Sequence, residues 1–327
     1  MSSFLLALLV PLLAICAVYT HNEGIYLLVF LCCVPILDHL IGRAKFPATV
    51  NNAAFASTVA FYIPHFFLIL WVLLLFISIQ CSAGVSLIRM TCIGLMCGVV
   101  GAVAAAHAHE LGHRSSRYST TAANITYCIA GYPTYPITHP IHHAKVGIAH
   151  VGSAPTQGIS FWQFLVPSYV NGFLTAWRYE TRLRGLGWRN RVMQRCALTF
   201  LSAVVFSLSG GIYGFVLYVS QAVVVTFLLE LIGYVQHYGL ARGTGDKRSE
   251  VAWDGDFWLS NRLLINNPLH NMHHKQPLLW YGYLQPSPLT LPAGYFTMIW
   301  VALLPPYWFS VMDRRLAELT TQGFGHD

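Results

Sequence analysis

The chain alternates long apolar runs with short polar interruptions, and the lengths of the runs indicate what they are. A helix needs about 20 apolar residues to cross the hydrocarbon of a bilayer. Six stretches approach that length, at residues 4–19, 25–42, 53–79, 85–108, 192–209 and 212–236. The first is short, but without a basic leader or a clear cleavage site it reads as a retained helix. The last two are divided only by Ser-Leu-Ser-Gly-Gly, where Gly210 and Gly211 permit a tight hairpin. A further apolar region, 291–311, is broken by Pro292, Pro305 and Pro306 and reads as an interfacial or re-entrant segment rather than a seventh span. The predicted fold is all-α, a polytopic membrane protein of six transmembrane helices. No linker or charge block divides it, so residues 1–327 are expected to form one domain.

Composition agrees: 55% of residues are hydrophobic and 9% charged, against about 25% charged in a soluble domain. The formal charge of +7 matters less than where the basic residues fall. Arg43 and Lys45 follow the second stretch, and Arg114, Lys145, Arg178, Arg184 and Arg195 are among those after the fourth. Arg242, Lys247, Arg262 and Lys275 are among those after the sixth, while the three opposite loops have none. By the positive-inside rule both termini are cytoplasmic, and the charge needs no nucleic acid to explain it. The eight cysteines lie mostly in apolar runs and form no C-x-x-C pair, which argues against a disulfide framework, a thiolate zinc site or a fused rubredoxin.

Histidines carry the candidate chemistry. His109, His113, His139, His142, His143, His150, His237, His270, His273 and His274 all fall at or beyond the cytoplasmic ends of the fourth and sixth stretches. His21, His39, His65, His107 and His326 read as ordinary interface or surface residues. His-Glu-Leu-Gly-His at 109–113 fits, by itself, a zinc protease with Glu110 as general base. Such an enzyme also needs a third ligand, commonly an Asp in a later span, and the last two spans contain none. Two distant boxes, Thr-His-Pro-Ile-His-His and Leu-His-Asn-Met-His-His, supply more imidazoles than the four that one tetrahedral zinc accepts. Imidazole alone does not choose among iron, zinc, copper and nickel. Charged residues in hydrocarbon are costly. Glu230, two helical turns before His237 on the same face, and Asp38, in the second stretch, are therefore candidates to accept imidazole N–H groups.

Around these boxes, over about residues 35–315, the chain resembles the integral-membrane alkane monooxygenases, relatives of the membrane fatty-acid desaturases and hydroxylases. The match rests on HELGH, GYVQHYGL and LHNMHH, with ISFWQFLVPS, AWRYE, LLELIGY, LPAGYFTM and PPYWFSVMD around them. It departs from the family in the second box, which has two residues rather than three before its His pair and no Glu. Gln236 replaces a common Glu, and Asn271-Met272 replaces Ser-Asp. The resemblance implies two non-haem irons held by His109, His113, His139, His142, His143, His237, His270, His273 and His274, with O2 as co-substrate. It implies hydroxylation of a terminal C–H of an alkane or alkyl chain that arrives from the bilayer. Electrons would come from rubredoxin or ferredoxin and an NAD(P)H-dependent reductase, drawn to the basic face. The expected location is a bacterial inner membrane. Phe55, Phe61, Tyr62 and Trp71 are candidates to set the depth of an apolar substrate channel. A desaturase, a fatty-acid hydroxylase or an alkene-forming decarboxylase would share the same cage, and a non-catalytic metal carrier would share its histidines.

Overall fold

The computed structural model describes residues 2–46, 54–146, 154–240 and 250–319. Among these no β-strand forms; the only extended pairings are isolated bridges at Arg43–Phe257 and Asp254–Thr290. The first span is a 3-10 segment, Ser2–Leu8, running into α1 (Leu9–Thr20). The second is α2 (Glu23–Leu28), a π-helical turn Val29–Cys33 and α3 (Val34–Ile41). Two long helices follow, α4 (Ala54–Gln80) and α5 (Leu87–Gly112). Next come α6 (Arg117–Ile129), α7 (Tyr135–Lys145), α8 (Phe161–Arg184) and α9 (Arg191–His237). The chain closes with the short helices α10 (Trp258–Leu263), α11 (His270–Lys275) and α12 (Tyr295–Ala302), then α13 (Pro305–Leu319).

Among the described residues, five helical stretches are long and apolar enough to cross a membrane: Ser2–Thr20, Glu23–Ile41, Thr58–Gln80, Leu87–Gly112 and Arg191–His237. At 47 residues the last would measure about 70 Å, twice a bilayer core, if it were straight. It breaks at Gly211, whose φ of 58° suits glycine. Beyond the break it folds back on itself, so that Tyr218 Oη donates to the Thr199 carbonyl at 3.1 Å and the Phe206 and Tyr218 rings lie 5.3 Å apart. The two arms are the expected hairpin, and the chain is an integral membrane protein with six apolar helical legs.

The centre of the bundle is the contact between α5 and the second arm of α9. A Cβ on Gly94, Gly98 or Gly101 would lie 2.5–2.8 Å from side chains of Ser220, Val224 or Val225. Small residues at this spacing let two membrane helices approach backbone to backbone. Trp71 is fully buried against this pair, its indole N–H directed at the Cys97 carbonyl. It therefore packs α4 onto α5 and does not wall a channel. Phe61 and Tyr62 lie on the outer surface, Phe61 beneath the Arg114 guanidinium. The Phe55 side chain lies outside the described residues.

Several contacts, among them one at Pro35 and one at Asp38, tie the C-terminal segments to the second span. Pro35 has no N–H, so the Leu31 carbonyl has lost its normal helical donor, and lipid offers no substitute. The Trp300 indole of α12 donates to that carbonyl at 2.7 Å. Region 291–311 thus forms part of two short helices pinned against the bundle, neither of them a span. Asp38 provides the second contact. Its Oδ1 accepts the Ser260 amide at 2.8 Å, and the carboxylate also faces the amides of Tyr295 and Phe296. Asp38 therefore caps the starts of α10 and α12, and the expectation that it orients an imidazole is corrected.

Candidate metal centre

Four elements deliver nine imidazoles to one end of the bundle: the end of α5, α7, the end of α9, and α11. They sort into two groups. His109, His113, His139, His143 and His273 form one, and His142, His237, His270 and His274 the other. Within each group the available ligand atoms lie within 4.8 Å of one another. Helix geometry explains the sorting. Residues four apart share a face, so the pairs 109/113, 139/143 and 270/274 each serve one group. Consecutive residues diverge by about 100°, so His142–His143 and His273–His274 each split between the groups. A His-His doublet at the end of a box is therefore a bridge between two neighbouring centres. His150 lies outside the described residues.

The nitrogen spacings carry chemical information. His113 and His139 Nε2 are 2.8 Å apart, His139 and His143 Nε2 3.0 Å, His143 and His273 Nε2 3.1 Å, and His270 and His274 Nε2 3.1 Å. Two nitrogens at right angles, each about 2.1 Å from one ion, are separated by about 3.0 Å; in a tetrahedral site they would be about 3.4 Å apart. A single tetrahedral zinc takes at most four protein ligands, fewer than the nine imidazoles gathered here. Burial keeps the imidazoles in the neutral form that metals require, pushing His113 down to about 4 and His143 to about 3, with His139, His142, His270, His273 and His274 also lowered.

Backbone and amide groups hold these rings. His237 Nδ1 donates to the Val251 carbonyl at 2.8 Å, which leaves Nε2 facing its group. The Asn267 side-chain amide nitrogen lies 3.0 Å from His109 Nδ1 and holds that ring in place. His109 Nε2 is buried without a hydrogen-bond partner, as a ligand nitrogen would be. The segment beneath the cage is itself anchored. The Asn271 side chain accepts the Val251 amide, Trp253 N donates to the Gln236 carbonyl, and buried Asp254 accepts the amides of Asn271 at 2.8 Å and Ser287 at 2.6 Å. Burial pushes the Asp254 carboxyl up to about 6. The residues overlooked in the sequence are thus Val251, Asp254 and Asn267. Only Asn267, beside the last box, left any trace there; a backbone carbonyl leaves none.

Glu230 is not the acceptor for His237. It is buried one layer away, where it accepts the Tyr132 hydroxyl and lies by Ser168. Glu110 pairs with Arg114 at 3.4 Å instead of standing in either group, and its flanking His109 and His113 belong to a set of five. That arrangement does not fit the protease reading.

Two cavities near the cage share part of a wall. One, of about 540 Å³, is bounded by α5, α6, α7, α8 and the second arm of α9, and His109, His139, His142, His237 and His270 contribute to its wall. The other, of about 280 Å³, is almost wholly apolar and lies between the second span, α5, the second arm of α9 and α12. Ala102 and Ile232 belong to both walls.

Residues 86–286 match the family model described as fatty acid desaturase. The chain is 36% identical to alkane 1-monooxygenase 1 of Pseudomonas aeruginosa over 234 residues, 67% of this chain and 61% of that protein. It is 33% identical to alkane 1-monooxygenase 2 of the same organism over 233 residues, 67% of this chain and 62% of the relative. Both matches span less than two thirds of the relative's length. Alkane 1-monooxygenase 2 of Alcanivorax borkumensis is 28% identical over 305 residues, 86% of this chain and 80% of the relative.

Proposed function

Because the chain belongs to the fatty acid desaturase family, we propose that it is a non-haem di-iron monooxygenase that hydroxylates a terminal C–H of an alkane or alkyl chain. The observation that carries this reading is the sorting of nine imidazoles into a group of five and an adjoining group of four. The five-fold group would hold one iron and the four-fold group the other, with no carboxylate in either. When bound, the pair would supply dioxygen activation with two external electrons and removal of hydrogen from a C–H bond. His237, its tautomer fixed by the Val251 carbonyl, keeps its Nε2 lone pair directed inward, and Asn267 holds the His109 ring beside it. The alkane 1-monooxygenase relatives favour terminal hydroxylation over desaturation on this shared scaffold.

The substrate enters from the bilayer through the apolar cavity and passes Ala102 and Ile232 toward the histidines. Leu27, Phe30, Leu95 and Val99 on that route exclude water and favour an alkyl chain. Electrons come from a separate rubredoxin or ferredoxin with its NAD(P)H-dependent reductase, steered to the basic face. That face is cytoplasmic, both termini lie on the same side, and the membrane is a bacterial inner membrane. The test is product analysis with alkane, fatty acid and alkylaromatic substrates, with reductase and carrier supplied. A primary alcohol from the alkane is the expected product. Internal double bonds, or an alkene one carbon shorter than a fatty acid, would move the protein to the desaturase or decarboxylase reading.

A further inference from the structure

Glycine in the middle of a helix weakens it, so each such position needs a reason. On α5 the reason is close packing against α9. Gly172, within α8, and Gly233, within the second arm of α9, have no such reason. Nothing lies within 4 Å of a Cβ built at either, and neither has a positive φ. Both line the same 540 Å³ chamber beside the histidines. Gly233 stands between Glu230 and His237 on the face turned toward it.

A second observation points to what fills that space. Gln236 also lines the chamber, is only 3% exposed, and its Nε2 has no hydrogen-bond partner. A buried amide donor without an acceptor is costly, and an occupant with an oxygen removes the cost. The rest of the lining is mixed, with Thr138, Ser168 and Thr175 beside the apolar Ala105, Leu229 and Ile232.

We propose that this chamber binds an alkyl chain bearing a hydroxyl oxygen, with Gln236 donating to that oxygen and with Gly172 and Gly233 setting the width of chain admitted. The inference narrows the substrate class of the oxidation proposed above and rests on that reading. An oxygenated chain, rather than bare hydrocarbon, is the preferred occupant.

The test is photolabelling of the full-length protein in lipid nanodiscs with a diazirine-bearing dodecanol, the labelled sites being located by peptide mass spectrometry. Unlabelled 2-dodecanol, which terminal hydroxylation of dodecane does not yield, and dodecane compete at matched concentrations in the bilayer. Labels are expected on α8 and the second arm of α9, with the alcohol competing about five to ten times more effectively than the alkane, the value of one buried hydrogen bond. Gln236→Leu should reduce that preference to below about twofold. Gly233→Leu meets no protein atom within 4 Å of its Cβ, so the fold should persist in a melting assay while labelling falls. Equal competition by the two ligands in the wild type, or labelling unchanged in both variants, overturns the inference. Binding is read without turnover, so the two readings fail separately. A protein that oxidises alkanes without preferring the alcohol refutes only the chamber assignment. One that binds the alcohol and oxidises no chain refutes only the activity.

Discussion

Removing the Asp254 carboxylate should release the last histidine box. Asp254 is fully buried and accepts two backbone amides, those of Asn271 and Ser287. In Asp254→Ala both N–H groups lose their acceptor in an interior that water does not reach, at about 1–3 kcal/mol each, or about 2–6 kcal/mol together. The loss falls on the start of α11, which carries His273 of the first group and His270 and His274 of the second. Both centres should therefore weaken, with metal affinity falling about ten- to hundredfold, as when a group that orients ligands is removed. Asp254→Asn keeps one acceptor oxygen and should lose about half as much stability. The assay pairs thermal unfolding, followed by tryptophan fluorescence, with metal per chain after dialysis against a chelator. If Asp254→Ala kept the wild-type melting temperature and metal content, residues 250–256 would not be what positions α11, and the reasoning would fail.

Three further outcomes follow from the same physics. Gly98→Ala places a Cβ 2.5 Å from that of Val224 and should cost about 1–3 kcal/mol through overpacking, read as a lower melting temperature. Trp300→Phe leaves the Leu31 carbonyl, already without a helical donor because of Pro35, unpaired at the edge of the apolar cavity. It should lose about 1 kcal/mol and show faster amide exchange in the second span. In metal-free protein, stability should fall as pH drops from about 6.5 toward 4. The unfolded imidazoles take up protons near 6.5, whereas burial holds folded His113 near 4, so acid favours the unfolded chain. Flat stability across that window would contradict the buried, neutral cage.

The spans and the histidine boxes were legible in the sequence because both are local patterns. Apolar length fixed five stretches to within a few residues of the helices, and Gly210–Gly211 marked the hairpin that Gly211 makes. The i, i+4 spacing indicated which imidazoles share a face. It did not indicate which member of each His-His doublet joins which group, because that depends on how α7 and α11 face each other. Charges in apolar runs drew attention to Asp38 and Glu230, but their partners are amides on α10 and α12 and a tyrosine after α6, all distant in sequence. Val251 acts through its carbonyl, which every residue has, so no side-chain pattern reveals it. Trp71 shows the same limit: a large aromatic in a span looks the same in the sequence whether it walls a channel or, as here, packs two helices.

In the proposed enzyme, two groups of imidazoles hold two irons without carboxylates. X-ray absorption spectroscopy at the iron edge, combined with whole-protein metal analysis, tests it most directly. The account predicts about two irons per chain, each surrounded by nitrogen at about 2.1 Å with multiple-scattering features of imidazole rings. One tetrahedral zinc per chain and no iron, or a coordination shell dominated by carboxylate oxygen, would contradict it.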